Sequence, residues 1–316
     1  MPGFTVMSRL VPRCVAALGL LVGLVVACGP AKATPQAAAT ETGVGDVTVM
    51  TFNMCGEHCN TDSTTDDIAD LMSKINAVQP NAVLLQEACQ QQATALMTES
   101  TQEGNWSLAG FQRISEPQGC TGGDGFGDVV LVHGTFIAVG GKDLKYPHGH
   151  GAHRQVRQVT CGKTLDAFPR TVEVCTVHAG LDFEIGKRHQ AKQIKQAYNF
   201  ARRQDPTDPL IFGGDFNVVP SANALDVVYA KGGGGARGAM EEVDACPGKH
   251  GRKHHKKTCN RKTHDPTRDV KHRTKNDYIF LSHKSFKSET ADIVKSKYSD
   301  HDILVGHAFL CASGTC

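Results

Sequence analysis

The readable pattern of apolar and polar positions begins at Val47. Residues 47–53 alternate and are β-branched, and residues 82–86 form a short apolar run, so both segments read as strands. Between them Ile68, Leu71, Met72, Ile75 and Val78 recur at helical spacing. Asp66 and Asp67 stand in the first turn of that helix, where its dipole favours acids, and Pro80 lies just past its end. The opening is a β-α-β unit. Further strands are expected at 128–132, 156–161, 172–178, 210–214, 278–281 and 303–310, with a long helix over 184–203 and a shorter one over 222–230. Residues 231–275 carry no core pattern and read as a loop. Strands outnumber helices and occur both singly and in αβ units, so periodicity predicts an α/β sandwich with a mixed sheet and helices outside it.

Ahead of this body the chain carries Arg9 and Arg13 followed by an apolar run, 14–26, too short to span a bilayer. That is the form of a signal peptide, expected over 1–28. Two processing sites compete. Val25-Val26-Ala27-Cys28 resembles a bacterial lipobox, and Ala31-Lys32-Ala33 has the A-x-A form of an ordinary cleavage site. Lipidation at Cys28 is the leading expectation and free secretion the alternative. Residues 29–45, rich in Ala and Thr, suit a flexible tether, and 46–316 suffice for one large α/β domain interrupted by the 231–275 insertion.

Cysteine usage agrees with an oxidising destination. Of twelve cysteines, Cys14 lies in the leader and Cys28 is the lipidation candidate, leaving an even number. Loop-closing spacings suggest that neighbours pair, Cys55 with Cys59, Cys161 with Cys175, Cys246 with Cys259 and Cys311 with Cys316, which leaves Cys89 for Cys120. Cys246, His250, His254 and Cys259 also admit a zinc reading, which the even count in an exported chain disfavours.

The net charge is only +2, but its distribution is uneven. Between Lys249 and Lys275 eleven Lys or Arg face two acids, Asp265 and Asp269, so this run carries +9 and the remainder −7. Such a run is either a solvated loop or a surface for polyanions.

Candidate chemistry gathers at the ends of the expected strands. In Gly213-Gly214-Asp215-Phe216-Asn217 the alternation of an extended chain puts Asp215 and Asn217 on one side and Phe216 in the core. Asp300-His301 offers a metal ligand beside a proton carrier. Asn53 and Glu87 end strands with oxygen donors of the hard type suited to Mg²⁺, Mn²⁺ or Ca²⁺, and His178 ends another strand. Strand ends in α/β sheets converge on one rim, where ligand sites form.

Taken in order, Thr51-Phe52-Asn53, Leu85-Gln86-Glu87, Val177-His178-Ala179-Gly180-Leu181, Gly213-Gly214-Asp215-Phe216-Asn217, Asn276-Asp277-Tyr278-Ile279-Phe280 and Ser299-Asp300-His301 resemble the motifs of the endonuclease/exonuclease/phosphatase superfamily, the deoxyribonuclease I-like hydrolases. The resemblance implies a four-layered α/β/β/α sandwich. It also implies a catalytic set of His178, Asp215, Asn217, Asp277 and His301, and a divalent cation, Mg²⁺ or Mn²⁺ with Ca²⁺ as a further option, held by Glu87, Asn53 and Asp300. In that scheme Asp215 orients or deprotonates the attacking water and Asn217 fixes the phosphate and that water. His178 and His301 stabilise the transition state, and Asp277 holds the His301 tautomer. The His-Ala-Gly-Leu context departs from the family's usual one. For the family's phosphate-binding cation, Arg154 is the first candidate and Arg157 the second, while Arg188, in the following helix, reads as structural or as a solvated cation. The expected activity is that of a nuclease, a monomer meeting nucleic acid through 249–275. The alternatives are a phosphatase or lipid phosphodiesterase of the same superfamily and, from another class, a silent polyanion-binding domain.

Overall fold

In the computed structural model the described residues are 45–56, 59, 64–104, 106–110, 120, 125–145, 157–204, 208–230, 235–243, 267, 274–312 and 316. The leader, residues 29–44 of the tether, Arg154 and the Cys246–Cys259 pairing lie outside them, and Gly45, expected at the tether's end, opens the first strand. In chain order the elements are β1 (Gly45–Asn53), α1 (Thr64–Val78), β2 (Ala82–Cys89), α2 (Gln90–Glu103), β3 (Trp106–Gly110), β4 (Phe126–His133), β5 (Phe136–Asp143), β6 (Gln158–Thr164), β7 (Val172–His178), α3 (Asp182–Ile185), α4 (Lys187–Gln204), β8 (Leu210–Asp215), a 3-10 turn (Asn223–Val227), β9 (Met240–Glu242), β10 (Asp277–Ser282), β11 (Phe286–Val294) and β12 (Ile303–Leu310).

Two six-stranded sheets result, in the orders β11-β12-β1-β2-β4-β3 and β5-β6-β7-β8-β10-β9. Each is mixed: β1 runs parallel to β2 and β7 parallel to β8, and the other pairs are antiparallel. Period-2 alternation decides the layering. Val47 and Val49 of β1, Ile211 of β8 and Ile279 of β10 fill the space between the sheets. Their neighbours point outward. Met50 and Phe52 pack under Ile68, Leu71 and Ile75 of α1, and Phe212, Tyr278 and Phe280 pack under Ile194 and Tyr198 of α4. These three apolar layers make the α/β/β/α sandwich, each buried Val, Leu, Ile or Phe contributing about 1.5–3 kcal/mol.

Four expectations are corrected. The helix expected over 184–203 is two helices, because Gly186 at φ 77° ends α3 before α4 starts. The 222–230 segment is the short 3-10 turn. The one mixed sheet read from periodicity is two mixed sheets, as the family resemblance implied. The 231–275 segment is not all loop: Met240, Glu242, Thr267 and Lys275 are buried, and β9 pairs with β10. The unforeseen α2, β3, β5 and β11 carry weak patterns of their own and are held by neighbours.

Lys275, the last cation of the basic run, is therefore not available to an external anion. Its Nζ lies 3.1 Å from Glu242 Oε1 with both side chains buried, and 5.2 Å from the Tyr278 ring centroid. Tyr229 donates its hydroxyl to the same carboxylate. Removing one partner of a buried pair strands the other charge. Lys275→Ala is expected to lower unfolding free energy by about 3–5 kcal/mol in denaturant titration; a midpoint equal to that of the parent would show that the pair is not buried.

Candidate active site

Register brings the candidate residues to one edge of the sandwich. His178 and Asp215 end β7 and β8 side by side, and Asp277 begins β10 opposite Asp215. Gly213 and Gly214 make this alignment possible. A Cβ on Gly213 would lie 2.7 Å from Leu84 Cδ1, and one on Gly214, at φ 130°, would lie 2.1 Å from Val177 O. Phe216 then anchors the turn from below, with ring centroids 5.2 Å from Phe212 and 5.4 Å from both Tyr278 and Phe280.

Two candidate residues sit in left-handed backbone conformations, Glu87 and Asn217, both at φ 52°. Such positions cost about 1–3 kcal/mol each and persist only where surroundings dictate them. At Glu87 the β2–β4 register shifts between Leu85 and Ala88, a bulge that re-aims the side chain. Its neighbour Gln86 points into the seam between the sheets, donating to Thr51 Oγ1 at 3.2 Å and to Thr176 Oγ1 at 2.8 Å. At Asn217 the backbone N–H donates to Asp215 Oδ1 at 2.8 Å and the side-chain amide to Ala179 O at 2.9 Å. The Ala179-Gly180 loop after His178 is clamped from α4: Gly180 N–H donates to Gln193, and Gln190 donates to the carbonyls of Gly180 and Asn217.

Asn53, buried, joins the two sheets at the site. Its amide nitrogen lies 3.3 Å from Glu87 Oε1 and 3.2 Å from Asp215 Oδ2, while its Oδ1 accepts the Cys55 N–H at 2.9 Å. As placed, Asn53 serves the carboxylates as a donor, and an oxygen-ligand role requires the amide to turn over. Ser299 ties in the last loop, donating to Asn53 O at 2.7 Å and accepting the His301 N–H at 3.0 Å. His301 Nδ1 donates to Asp277 Oδ2 at 2.8 Å, and its Nε2 lies 3.8 Å from Asp215 Oδ2 and 3.9 Å from Asp300 Oδ1.

Electrostatics separate the two histidines. Burial opposes a charge on His301, but the Asp277 carboxylate, through charge and hydrogen bond, with help from Asp215 and Asp300, raises it to about 10. His178 moves the other way: burial, then Arg157, then His301 all hold it well below its ordinary value. Burial, reinforced by Asp277, lifts Asp215 to about 7 although His301 opposes the shift. At neutral pH the edge thus holds an imidazolium, a neutral imidazole and a carboxyl group near its midpoint.

Two residues enter that sequence reasoning ranked low or missed. Arg157, the second choice for the phosphate-binding cation, is buried in the site with its Nη1 2.6 Å from both His178 ring nitrogens, and it donates to the one that carries no proton. Asp128, seen only as the start of a strand, is buried beside it, accepts the His178 backbone N–H, and is raised to about 8, chiefly by burial. An acid at the head of an otherwise apolar strand was the available signal. Arg188 is exposed on α4 as expected.

For a divalent cation, Glu87 and Asp300 are hard oxygen donors at the site edge, and the donor chemistry fits. A second cluster, Asp215, Asp277 and His301, also has ligand atoms within reach of one another. There the His301 nitrogen that faces Asp277 is already engaged in a 2.8 Å hydrogen bond, so the closeness is that of an acid–imidazole pair.

The family described as Endonuclease/Exonuclease/phosphatase family matches residues 50–301. No curated protein matches the chain. Similar solved structures include an endonuclease/exonuclease/phosphatase from Bacteroides vulgatus, at 16% identity and TM-score 0.63 over 84% of this chain and 99% of that one. The human Nocturnin catalytic domain with bound sulfate anion is similar at 16% identity and TM-score 0.64, over 84% and 94%. D. rerio TDP2 complexed with single strand DNA product is similar at 16% identity and TM-score 0.57, over 84% and 99%. At these identities the likeness is one of fold.

In metal-free protein, histidine ring NMR should find His301 protonated through neutral pH and releasing its proton near 10, with His178 neutral. Asp277→Asn removes the stabilising charge and should bring the His301 titration down towards the unperturbed value of about 6.5. A wild-type His301 already titrating there would contradict the pairing.

Proposed function

The chain belongs to the endonuclease/exonuclease/phosphatase family, and from that premise we propose that it hydrolyses phosphodiester bonds in nucleic acid, DNA first, by direct attack of water. The observation that carries this reading is the trio of His301, Asp215 and Asp277. A carboxylate whose proton affinity lies near neutrality stands 3.8 Å from an imidazole held in its protonated form. Those are the protonation states that general-base and general-acid work require at the same pH.

In the proposed mechanism Asp215 takes the proton of the attacking water. Asn217, whose N–H fixes Asp215 Oδ1, holds the water and a phosphate oxygen in line. Arg157 and the neutral His178 donate to non-bridging oxygens as charge builds on them. His301, paired with Asp277, stabilises the pentacoordinate arrangement and passes its proton to the leaving oxygen. A divalent cation, Mg²⁺ or Mn²⁺ with Ca²⁺ as a further option, held by Glu87 and Asp300 with Asn53, would supply charge neutralisation on the phosphate. Both histidines and Arg157 face the reacting phosphate without forming a bond to it.

Two observations support a polynucleotide. The basic run before β10, which carries +8 over 249–274 without the buried Lys275, leads to Asp277, and a run of this kind binds polyanions through phosphate contacts. D. rerio TDP2, similar in fold, is complexed with single strand DNA product. The proposed setting is outside the cytosol, with the chain released or held by a lipid on Cys28 and acting as a monomer. The pairs Cys55–Cys59, Cys89–Cys120, Cys161–Cys175 and Cys311–Cys316 support an oxidising compartment.

The test incubates the mature protein with supercoiled plasmid, a phospholipid panel and a phosphomonoester, with Mg²⁺ or with EDTA. Plasmid cleavage that EDTA abolishes and rising salt weakens is expected, and His301→Ala should lower it by about 10²–10⁴-fold. Faster hydrolysis of lipid or monoester would overturn the nuclease reading. The rate should also trace a bell against pH. With Mg²⁺ present it rises as Asp215 loses its proton, at a pH below the value of about 7 that the cation-free carboxyl holds, and it falls as His301 loses its proton.

A further inference from the structure

Asp277 and His301 form one hydrogen-bonded pair, yet they reach it from different sheets. Asp277 opens β10 of the second sheet, whereas His301 lies in the loop just before β12 of the first. A pair assembled from two frames needs something to hold the frames in register. Ser299 fixes the chain on the N-terminal side of His301. On the C-terminal side the fixing group is Thr267, a residue of the basic insertion and fully buried.

Every polar atom of Thr267 is engaged. Its Oγ1 accepts the backbone N–H groups of both Asn276 and Asp277, each at 3.1 Å. Its carbonyl accepts the N–H of Asp302 at 2.7 Å, and its own N–H donates to Thr274 O at 3.2 Å. One residue is thus bonded to the backbone of Asp277 and to the residue that follows His301. Resting on the hydrolytic reading above, we infer that Thr267 is a positioning residue that sets the approach of Asp277 to His301. The insertion is then part of the catalytic frame as well as a surface for substrate.

The physical ground is that Asn276 and Asp277 are buried, so loss of the hydroxyl takes from their two N–H groups the acceptor they share, and the start of β10 must move to find another. Movement there carries the Asp277 carboxylate with it, and a carboxylate–imidazole hydrogen bond weakens steeply with distance and angle. Misplacing a catalytic group by 1 Å costs up to about 10²-fold in rate.

Thr267→Val keeps the shape and removes the hydroxyl; Thr267→Ser keeps the hydroxyl and removes a methyl group. The first readout uses no substrate: the low-field NMR resonance of the His301 ring N–H held by Asp277, in the full-length folded protein. It should be present in the parent and in Thr267→Ser and be lost or moved upfield in Thr267→Val. The second readout is plasmid cleavage, where Thr267→Val should lower kcat by about 10- to 10²-fold with KM within about twofold, and Thr267→Ser should restore it. A folded Thr267→Val with the parental resonance and kcat would overturn the inference. If Thr267→Val fails to fold, Thr267→Ser decides: a folded serine variant without the resonance overturns it, and one with the resonance supports it. Because the resonance is read without substrate, absence of hydrolysis on any substrate would count against the proposed function alone.

Discussion

Asp215 is a carboxylate with almost no access to water, placed where three strands end, and the surrounding side chains make that burial tolerable. Taking one such charge out of water costs several kcal/mol unless partners offset it. Five acids, Glu87, Asp128, Asp215, Asp277 and Asp300, share the edge with two cationic groups, Arg157 and the His301 imidazolium. The imbalance appears in the protonation states. Asp128 and Asp215 retain protons up to about 8 and 7, and His301 holds its proton up to about 10. The edge therefore stores protons near neutrality. A site whose acids are this strongly desolvated is suited to moving a proton at low cost.

Rigidity comes from the seam between the sheets. Asn53 of β1 reaches Asp215 of β8, Gln86 of β2 reaches Thr176 of β7, and Asp277 of β10 reaches His301 ahead of β12. Each is a buried polar contact between frames that the apolar interior alone would leave free to slide. Hydrophobic packing between the sheets is non-directional, so it sets their spacing, and these hydrogen bonds set their register. The same contacts account for buried polar residues such as Thr51, Gln86 and Thr176 beneath the site.

The strongly periodic elements were legible in the sequence. β1, α1, β7, β8, β10 and β12 announce themselves because each buries one face or both, and burial leaves a period. The ordered motifs also named residues that the fold brings to one edge, including the acid behind His301. What local pattern missed was held by neighbours: β3, β5 and β11 are edge or near-edge strands, and β9 survives because Tyr229, Glu242 and Lys275 form a buried network around it. Gly186 hid a helix break inside a continuous helical pattern, since a left-handed residue costs glycine little and leaves no mark in the periodicity.

The sequence by itself determined the class of fold, the strands whose ends converge on one edge and most of the residues that meet there, because alternation and motif order are local properties of a chain. Only the tertiary structure decided that Arg157 faces His178, that Asp128 lies beside them, and that Thr267 joins the basic insertion to the same edge. Those facts depend on register between two sheets and on charges brought out of water together. Both arise from contacts between residues far apart in the chain, and no spacing along it records them.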